Sequence, residues 1–178
     1  MFDLRRVRRQ IGDALDRLGR SDEARPLLAA SLAESEARER PGSQELAQSR
    51  ERWARFLIDQ GDDTGAEAAF RQVIAGVARP AWVQVPLAQA GLARVALRRG
   101  DLPAALGFSQ AALQGWDARS GRHDVRMQAD LWRVRAAVLV ANGDARGAQA
   151  LRDQALAAAR RTDAPDSPTI TRPLDRVL

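Results

Sequence analysis

Residues 19–61 read GRSDEARPLLAASLAESEARERPGSQELAQSRERWARFLIDQG. The segment runs from one glycine-polar step, Gly19-Arg20, to the next, Gly61-Asp62. Between them lie two alanine- and leucine-rich stretches with apolar residues at helical spacing, joined by Pro41-Gly42-Ser43. Glycine just past a helix end takes the left-handed conformation that closes off the outgoing carbonyls. Ser21 and Asp62 are short polar residues suited to capping the next helix. The segment therefore reads as the second helix of one hairpin followed by the first helix of another.

The same punctuation recurs at Gly100-Asp101 and Gly143-Asp144, so the four glycines stand 42, 39 and 43 residues apart. Five residues past each comes an alanine: Ala24, Ala66, Ala105 and Ala148. Seven residues before each comes a small residue: Gly12, Ala54, Ala93 and Ala136. Small residues on both sides of a turn let two antiparallel helices approach to about 8–10 Å. Upstream, Leu4, Val7, Ile11, Ala14, Leu15 and Leu18 form one apolar helical face. Four helix–turn–helix units at a near-constant period predict an all-α repeat array. Helix pairs are expected at about 3–39, 43–78, 81–118 and 122–161. Pro41-Gly42-Ser43, Ala78-Arg79-Pro80 and Arg119-Ser120-Gly121 are the connections, and a proline-bearing tail covers 162–178. Pro103 suits a first helical turn, and Pro86 either kinks the fifth helix or marks its start.

The unit resembles the tetratricopeptide (TPR) repeat, and its length is similar to the roughly 42-residue variant of kinesin light chains and bacterial signalling proteins. The first two units carry the pattern in full: Gly12, Leu15, Gly19, Ala24 and Leu28, then Ala54, Leu57, Gly61, Ala66 and Phe70. The third has Ala93, Ala96, Gly100 and Ala105, but Ser109 replaces the large residue, with Phe108 beside it. The fourth has Ala136, Leu139, Gly143 and Ala148, but Arg152 stands in that place. The resemblance covers residues 4–161 and implies a right-handed superhelical solenoid of four antiparallel helix pairs. The segment Asp163-Ala164-Pro165-Asp166-Ser167-Pro168-Thr169-Ile170 is similar to the end of repeat regions attached to bacterial serine/threonine kinases. No phosphate loop, His-Arg-Asp or Asp-Phe-Gly motif accompanies it.

Composition narrows the chemistry. The 178 residues include no cysteine and one histidine, His123, which argues against disulfides, zinc and haem. The longest apolar runs, such as residues 136–141, fall far short of the ~20 needed to span a bilayer. Met1-Phe2-Asp3 opens no signal-peptide pattern. A cytoplasmic protein without cofactor or metal is expected. All 28 basic residues are arginine, as a GC-rich genome would favour, so the net charge of +5 is weak evidence for nucleic-acid binding. Residues 1–89 balance 14 arginines with 14 acids, whereas 90–178 hold 14 arginines against 9 aspartates. The second half should carry the positive field and attract acidic partners.

By the resemblance, the first helix of each pair lines a concave groove. The implied groove positions are Arg9, Asp13, Asp16 and Arg17; Glu51, Arg55, Ile58 and Asp59; Ala90, Arg94, Leu97 and Arg98; and Arg133, Ala137 and Val140. Among them Arg55, Arg94, Arg98 and Arg133 are the candidate contacts to anionic groups, since guanidinium binds carboxylates bidentately. Ile58, Leu97 and Val140 are the candidate apolar floor. The plainer reading pairs these arginines internally with Asp59 and Asp130. A Lys/Asn carboxylate clamp is disfavoured, because the chain has no lysine and only Asn142.

The cluster Arg5-Arg6-Val7-Arg8-Arg9 could touch nucleic acid or anionic lipid. A polar helix face paired with Asp13 and Asp16 explains it better, with no interleaved aromatics to stack on bases. Trp53, Trp82, Trp116 and Trp132 read as packing core rather than ligand platforms. His123 beside Asp124 reads as a helix start, not an acid–base pair. The expected function is non-enzymatic: an adaptor or docking domain for a protein or peptide. Self-association as an oligomerisation module is the alternative, and nucleic-acid binding through the arginine-rich half ranks third.

Overall fold

The computed structural model describes residues 4–77, 82–118 and 124–162. Among these, all regular structure is helical. Eight α-helices follow one another: α1 Leu4–Arg17, α2 Ser21–Arg38, α3 Gln44–Asp59, α4 Asp63–Gly76, α5 Gln84–Arg98, α6 Leu102–Asp117, α7 Val125–Ala141 and α8 Ala145–Thr162. The connections at 78–80 and 119–121, His123 and the tail 163–178 lie outside the described residues. None of the described helices is long and apolar enough to cross a membrane. The chain divides into two compact units, Met1–Gly91 and Leu92–Leu178.

The four hairpin turns are built alike. Gly19, Gly61, Gly100 and Gly143 all have φ between +74° and +83°. The amide after each reaches back to the carbonyl five residues earlier: Arg20 to Leu15, Asp62 to Leu57, Asp101 to Ala96 and Asp144 to Leu139, at 2.8–2.9 Å. This is the Schellman closure, and it requires the positive φ that glycine adopts without penalty. Three of the next helices are capped by aspartate. Asp62 accepts from the Gly65 amide at 2.8 Å, Asp101 from Ala104 at 3.1 Å and Asp144 from Gly147 at 2.8 Å. Ser21 departs from the expected role: it is the first residue of α2, and the N-cap is Arg20, with no side-chain cap bond. Pro103 occupies the first turn of α6. Pro86 is the third residue of α5, so it marks that helix's first turn.

Within each hairpin the small residues close the gap. Ala24, Ala54, Ala66, Ala93 and Ala105 are fully buried, and Ala136 and Ala148 nearly so. A Cβ on Gly12 would lie 2.8 Å from Leu28 Cδ2, so α1 and α2 touch there. In the first unit α1 packs on α2, α2 on α3 and α3 on α4; in the second, α6 packs on α7 and α7 on α8. Each interior helix thus covers the apolar face that its neighbour cannot bury alone.

The irregular position of the third unit is compensated in part by a neighbour. Phe108 packs on the cluster of Ala96, Ala105 and Val138, filling part of the space beside Ser109. Ser109 is itself buried and donates to the Leu106 carbonyl at 3.2 Å. Its oxygen accepts from Arg135 Nη1 at 2.9 Å. Of the tryptophans, Trp116 is the fully buried one, while Trp53 and Trp132 are half-buried. Trp53 stacks on Phe56, with ring centroids 5.5 Å apart. Trp53 and Trp132 therefore sit at the margin of the core, whereas Trp116, near the end of α6, lies deep within it.

Candidate interaction faces of the first helices

In the first unit α1 and α3 lie side by side. Arg9 Nη1 makes a long hydrogen bond of 3.5 Å to Gln48 Oε1, and Arg52 Nε stands 3.5 Å from Asp13 Oδ2. Further along, Asp16 feels the negative charge of Asp59. The two first helices thus present one polar strip. Its partners differ from those expected for the basic cluster. Arg8 pairs with Glu34 of α2, Arg9 bonds Gln48, and Asp13 is held by Arg52. Gln48 and Arg52 were not among the positions carried over from the repeat. Their signal is register: they stand 39 residues after the α1 groups they touch, close to one repeat period.

Asp16 is the electrostatically strained member of the strip. Burial raises its pKa above the ordinary carboxylate value, and the charges of Asp59 and Asp13 push it further. A hydrogen bond from Ser21, at 3.4 Å, and the charge of Arg55 work the other way. Ser21 in turn accepts from Gln60 Nε2 at 2.8 Å. Ser21 therefore serves this network rather than the helix start.

Arg55 points outward with its side chain 46% exposed, and its Nε lies 3.8 Å from Glu51 Oε1. Glu51 is buried, and that Oε1 has no hydrogen-bond partner. Ile58, expected as apolar floor, has no exposed surface at all. It supports the strip from beneath and cannot touch a ligand. The reason is rotation: residue 58 lies 300° round the helix from Arg55, on the flank that carries Ala54 and Leu57 inward.

In the second unit Arg98 is exposed, Arg94 and Leu97 are half-buried, and Val140 is 49% exposed. Leu97 packs against the Ala96–Ala105–Val138 cluster. Arg133 is the candidate for which the plainer reading holds. Its Nη1 donates to Asp130 at 2.6 Å, and only 13% of its side chain is exposed. A ligand carboxylate would have to compete with that aspartate. The guanidinium of Arg135 faces α6 instead, donating to the Leu106 carbonyl and Ser109 at 2.9 Å and to Gln110 at 3.1 Å. Desolvation lowers its pKa, and Asp144 offsets this in part. It remains a cation, as arginine does throughout the physiological range.

No protein-family model matches the sequence, and no curated protein is significantly similar to it. Solved structures are. BtubC (BKLC) from P. vanneervenii superposes with a TM-score of 0.70 at 19% identity, over 92% of this chain and 67% of that one. A kinesin-light-chain candidate from Podospora anserina, with nearly identical TPR-like repeats, matches in two crystal structures at a TM-score of 0.67 and 21% identity. That match covers 93% of this chain and 79% of the other. With its four Schellman-closed hairpins and buried alanines, the chain is an all-α protein of TPR-like repeat fold, of the kind seen in kinesin-light-chain-type repeats.

Proposed function

We propose that the chain is a non-enzymatic protein–protein interaction scaffold that holds an acidic peptide or helical partner against the faces of its first helices. One observation carries the reading: in the first unit the first helices of successive hairpins adjoin along a polar strip, bridged by Arg9–Gln48 and Asp13–Arg52. A surface of this type is assembled from side chains of several repeats and suits an extended ligand. Arg55 supplies a guanidinium beside the strip of the first unit, and in the second unit Arg94 and Arg98 supply the positive field of α5 itself. Leu97 and Val140 add apolar contact. The reading places the chain in the cytoplasm as an adaptor or docking domain of a bacterial signalling protein, without a cofactor.

The test is retention on an array of synthetic 15-residue peptides graded in aspartate and glutamate content. Retention should rise with acidic content and weaken as salt is raised, since exposed charges are screened within about 8 Å at physiological ionic strength. The double variant Arg94→Glu/Arg98→Glu should lose at least tenfold in affinity with its helical circular dichroism intact. Equal binding by the variant removes the reading.

A further inference from the structure

The last hairpin turn differs from the other three in the residue before its glycine. Leu18, Gln60, Arg99 and Asn142 hold that place, and Asn142 is the sole asparagine of the chain. Asn142-Gly143 is a pair with chemistry of its own. The backbone nitrogen of the following residue can attack the asparagine side-chain carbonyl and close a five-membered ring. Glycine, with no Cβ, leaves the approach open. Gln60-Gly61 stands in the same register, but its side chain is one methylene longer. Its ring would have six members and closes far more slowly, and its Nε2 is already bonded to Ser21 at 2.8 Å.

The fold decides when that attack is possible. Residues 140–146 are all exposed, so water reaches both the side chain and the ring it would form. The attacking nitrogen, however, is engaged. Gly143 donates its amide hydrogen to the Val140 carbonyl at 3.0 Å. On either side, the Asn142 amide reaches Val138 at 3.0 Å and the Asp144 amide reaches Leu139 at 2.8 Å. Gly143 is held at φ +83°, and Asp144 caps α8 through the Gly147 amide at 2.8 Å. A nitrogen whose hydrogen is bonded and whose torsion is fixed is poorly placed to swing onto the Asn142 side chain. Attack therefore waits for the turn to open, and exposed turns are among the least protected parts of a fold.

The reaction balances with water alone. The Gly143 nitrogen bonds to Asn142 Cγ, its proton leaves with the side-chain amide group as ammonia, and a succinimide remains. Water then opens the ring at either carbonyl, to aspartate or to isoaspartate. Each product works against the turn. A carboxylate at position 142 sits at the C-terminal end of α7, where the helix dipole disfavours an anion. The last turn of α7 has no basic residue to offset it. Isoaspartate routes the main chain through the side chain and adds one methylene ahead of the Gly143 nitrogen. The bonds to Val140 and Leu139 cannot then both keep their places. α8 rests on α7 through Ala136, Leu139 and Ala148, with Leu151 packed against them. Loosening the turn loosens that packing.

We propose that Asn142-Gly143 is a site of spontaneous deamidation in the folded chain, at a rate set by opening of the α7–α8 turn, and that the product holds this hairpin less firmly. The site is independent of the faces assigned above to peptide binding. The full chain is incubated near pH 8.5 and 37 °C in native buffer and in concentrated urea, then digested. The peptide spanning Asn142 is followed by mass spectrometry, with the aspartate and isoaspartate forms separated chromatographically.

In native buffer, conversion should be slower than in urea by a factor between threefold and a thousandfold. A smaller factor means that the closure does not gate the attack, and a larger one that the folded site is silent; either overturns the proposal. Asp144→Ala, with its helical circular dichroism intact, should convert at least twofold faster than the wild-type chain in buffer, because the lost cap favours the open turn. The two should convert alike in urea, where no turn exists. A native rate unchanged by Asp144→Ala overturns the gating. Gln60 should stay unmodified, and its conversion at a similar rate would replace ring closure by direct hydrolysis and equally overturn the proposal. Asn142→Asp, the product in its normal backbone form, should melt about 1–4 °C below the wild-type chain at neutral pH. Melting at or above the wild-type temperature removes the claim that the product loosens the hairpin.

Discussion

A Cβ placed on Gly91 would lie 2.2 Å from Cζ of Phe70. The ring of a fully buried phenylalanine on α4 thus occupies the space that any other residue of α5 would need for its side chain. This pair decides how closely α4 and α5 approach within the first unit.

Gly91→Ala is expected to destabilise the protein. Alanine gains about 1 kcal/mol in helix propensity, but overpacking of a close-packed interior costs about 1–3 kcal/mol. Steric conflict should win, lowering the melting temperature by roughly 2–6 °C in a chain of this size. Adding Phe70→Leu should recover part of the loss, because the two changes act on the same space. Additive losses in the double variant would show that the contact does not set the packing.

The aspartate caps should each matter and Ser21 should not matter in the same way. Asp62→Ala, Asp101→Ala and Asp144→Ala each remove an acceptor for a first-turn amide, at a cost of about 1 kcal/mol. Ser21→Ala removes no cap bond and should cost less than about half of that. Urea denaturation of the four variants checks the order. A Ser21→Ala loss equal to the others would restore the serine as a cap.

Arg135 ties α7 to α6 through three acceptors. Arg135→Ala should cost about 1.5–3 kcal/mol, the range for hydrogen bonds to a charged group, toward the lower end because the site is partly exposed. It also leaves buried Ser109 with one partner fewer. Arg135→Lys should recover little, since a point charge cannot span the three acceptors. Full recovery by lysine would reduce the contact to simple charge.

Asp16 gives a pH dependence with a definite sign. Its folded-state pKa is raised, by burial first and by Asp59 second. The folded protein therefore holds this proton more tightly than the unfolded chain does. Its contribution to stability is complete below the ordinary carboxylate pKa and is lost as pH rises through the raised value. Asp16→Asn should accordingly be the more stable form at neutral pH, by less than about 1 kcal/mol at this partly exposed position. That advantage should shrink as pH falls through the raised value toward the ordinary carboxylate range. Melting curves of both proteins across pH 4–7.5 test it, and an advantage independent of pH would refute the assignment.

Much of the fold was legible because its determinants are local. A glycine with positive φ, in three of the four turns an aspartate one residue on, and an alanine five residues on all act within a single turn, and their spacing survives in the linear text. The exceptions are tertiary. Nothing in the sequence shows that Trp116 is deeper than Trp53, since depth depends on which helix lies across it. Ile58 looked like groove floor because carry-over by position does not show which flank of α3 its neighbours cover. The partner of Arg133 was legible as an i−3 aspartate, whereas those of Arg8 and Arg9 come from α2 and α3. The apolar face of α1 was plain in the text, and only coordinates could show it uncovered.

The packing scheme has a kinetic corollary. The described helix–helix contacts join an element to the next one along the chain or, as between α1 and α3, to the next but one, so the loops that must close are short and their entropy cost is small. Such a chain can begin folding at any hairpin and extend by accretion, without waiting for distant segments to meet. Loss or duplication of one whole period then changes the length of the array while leaving the rules of its growth untouched.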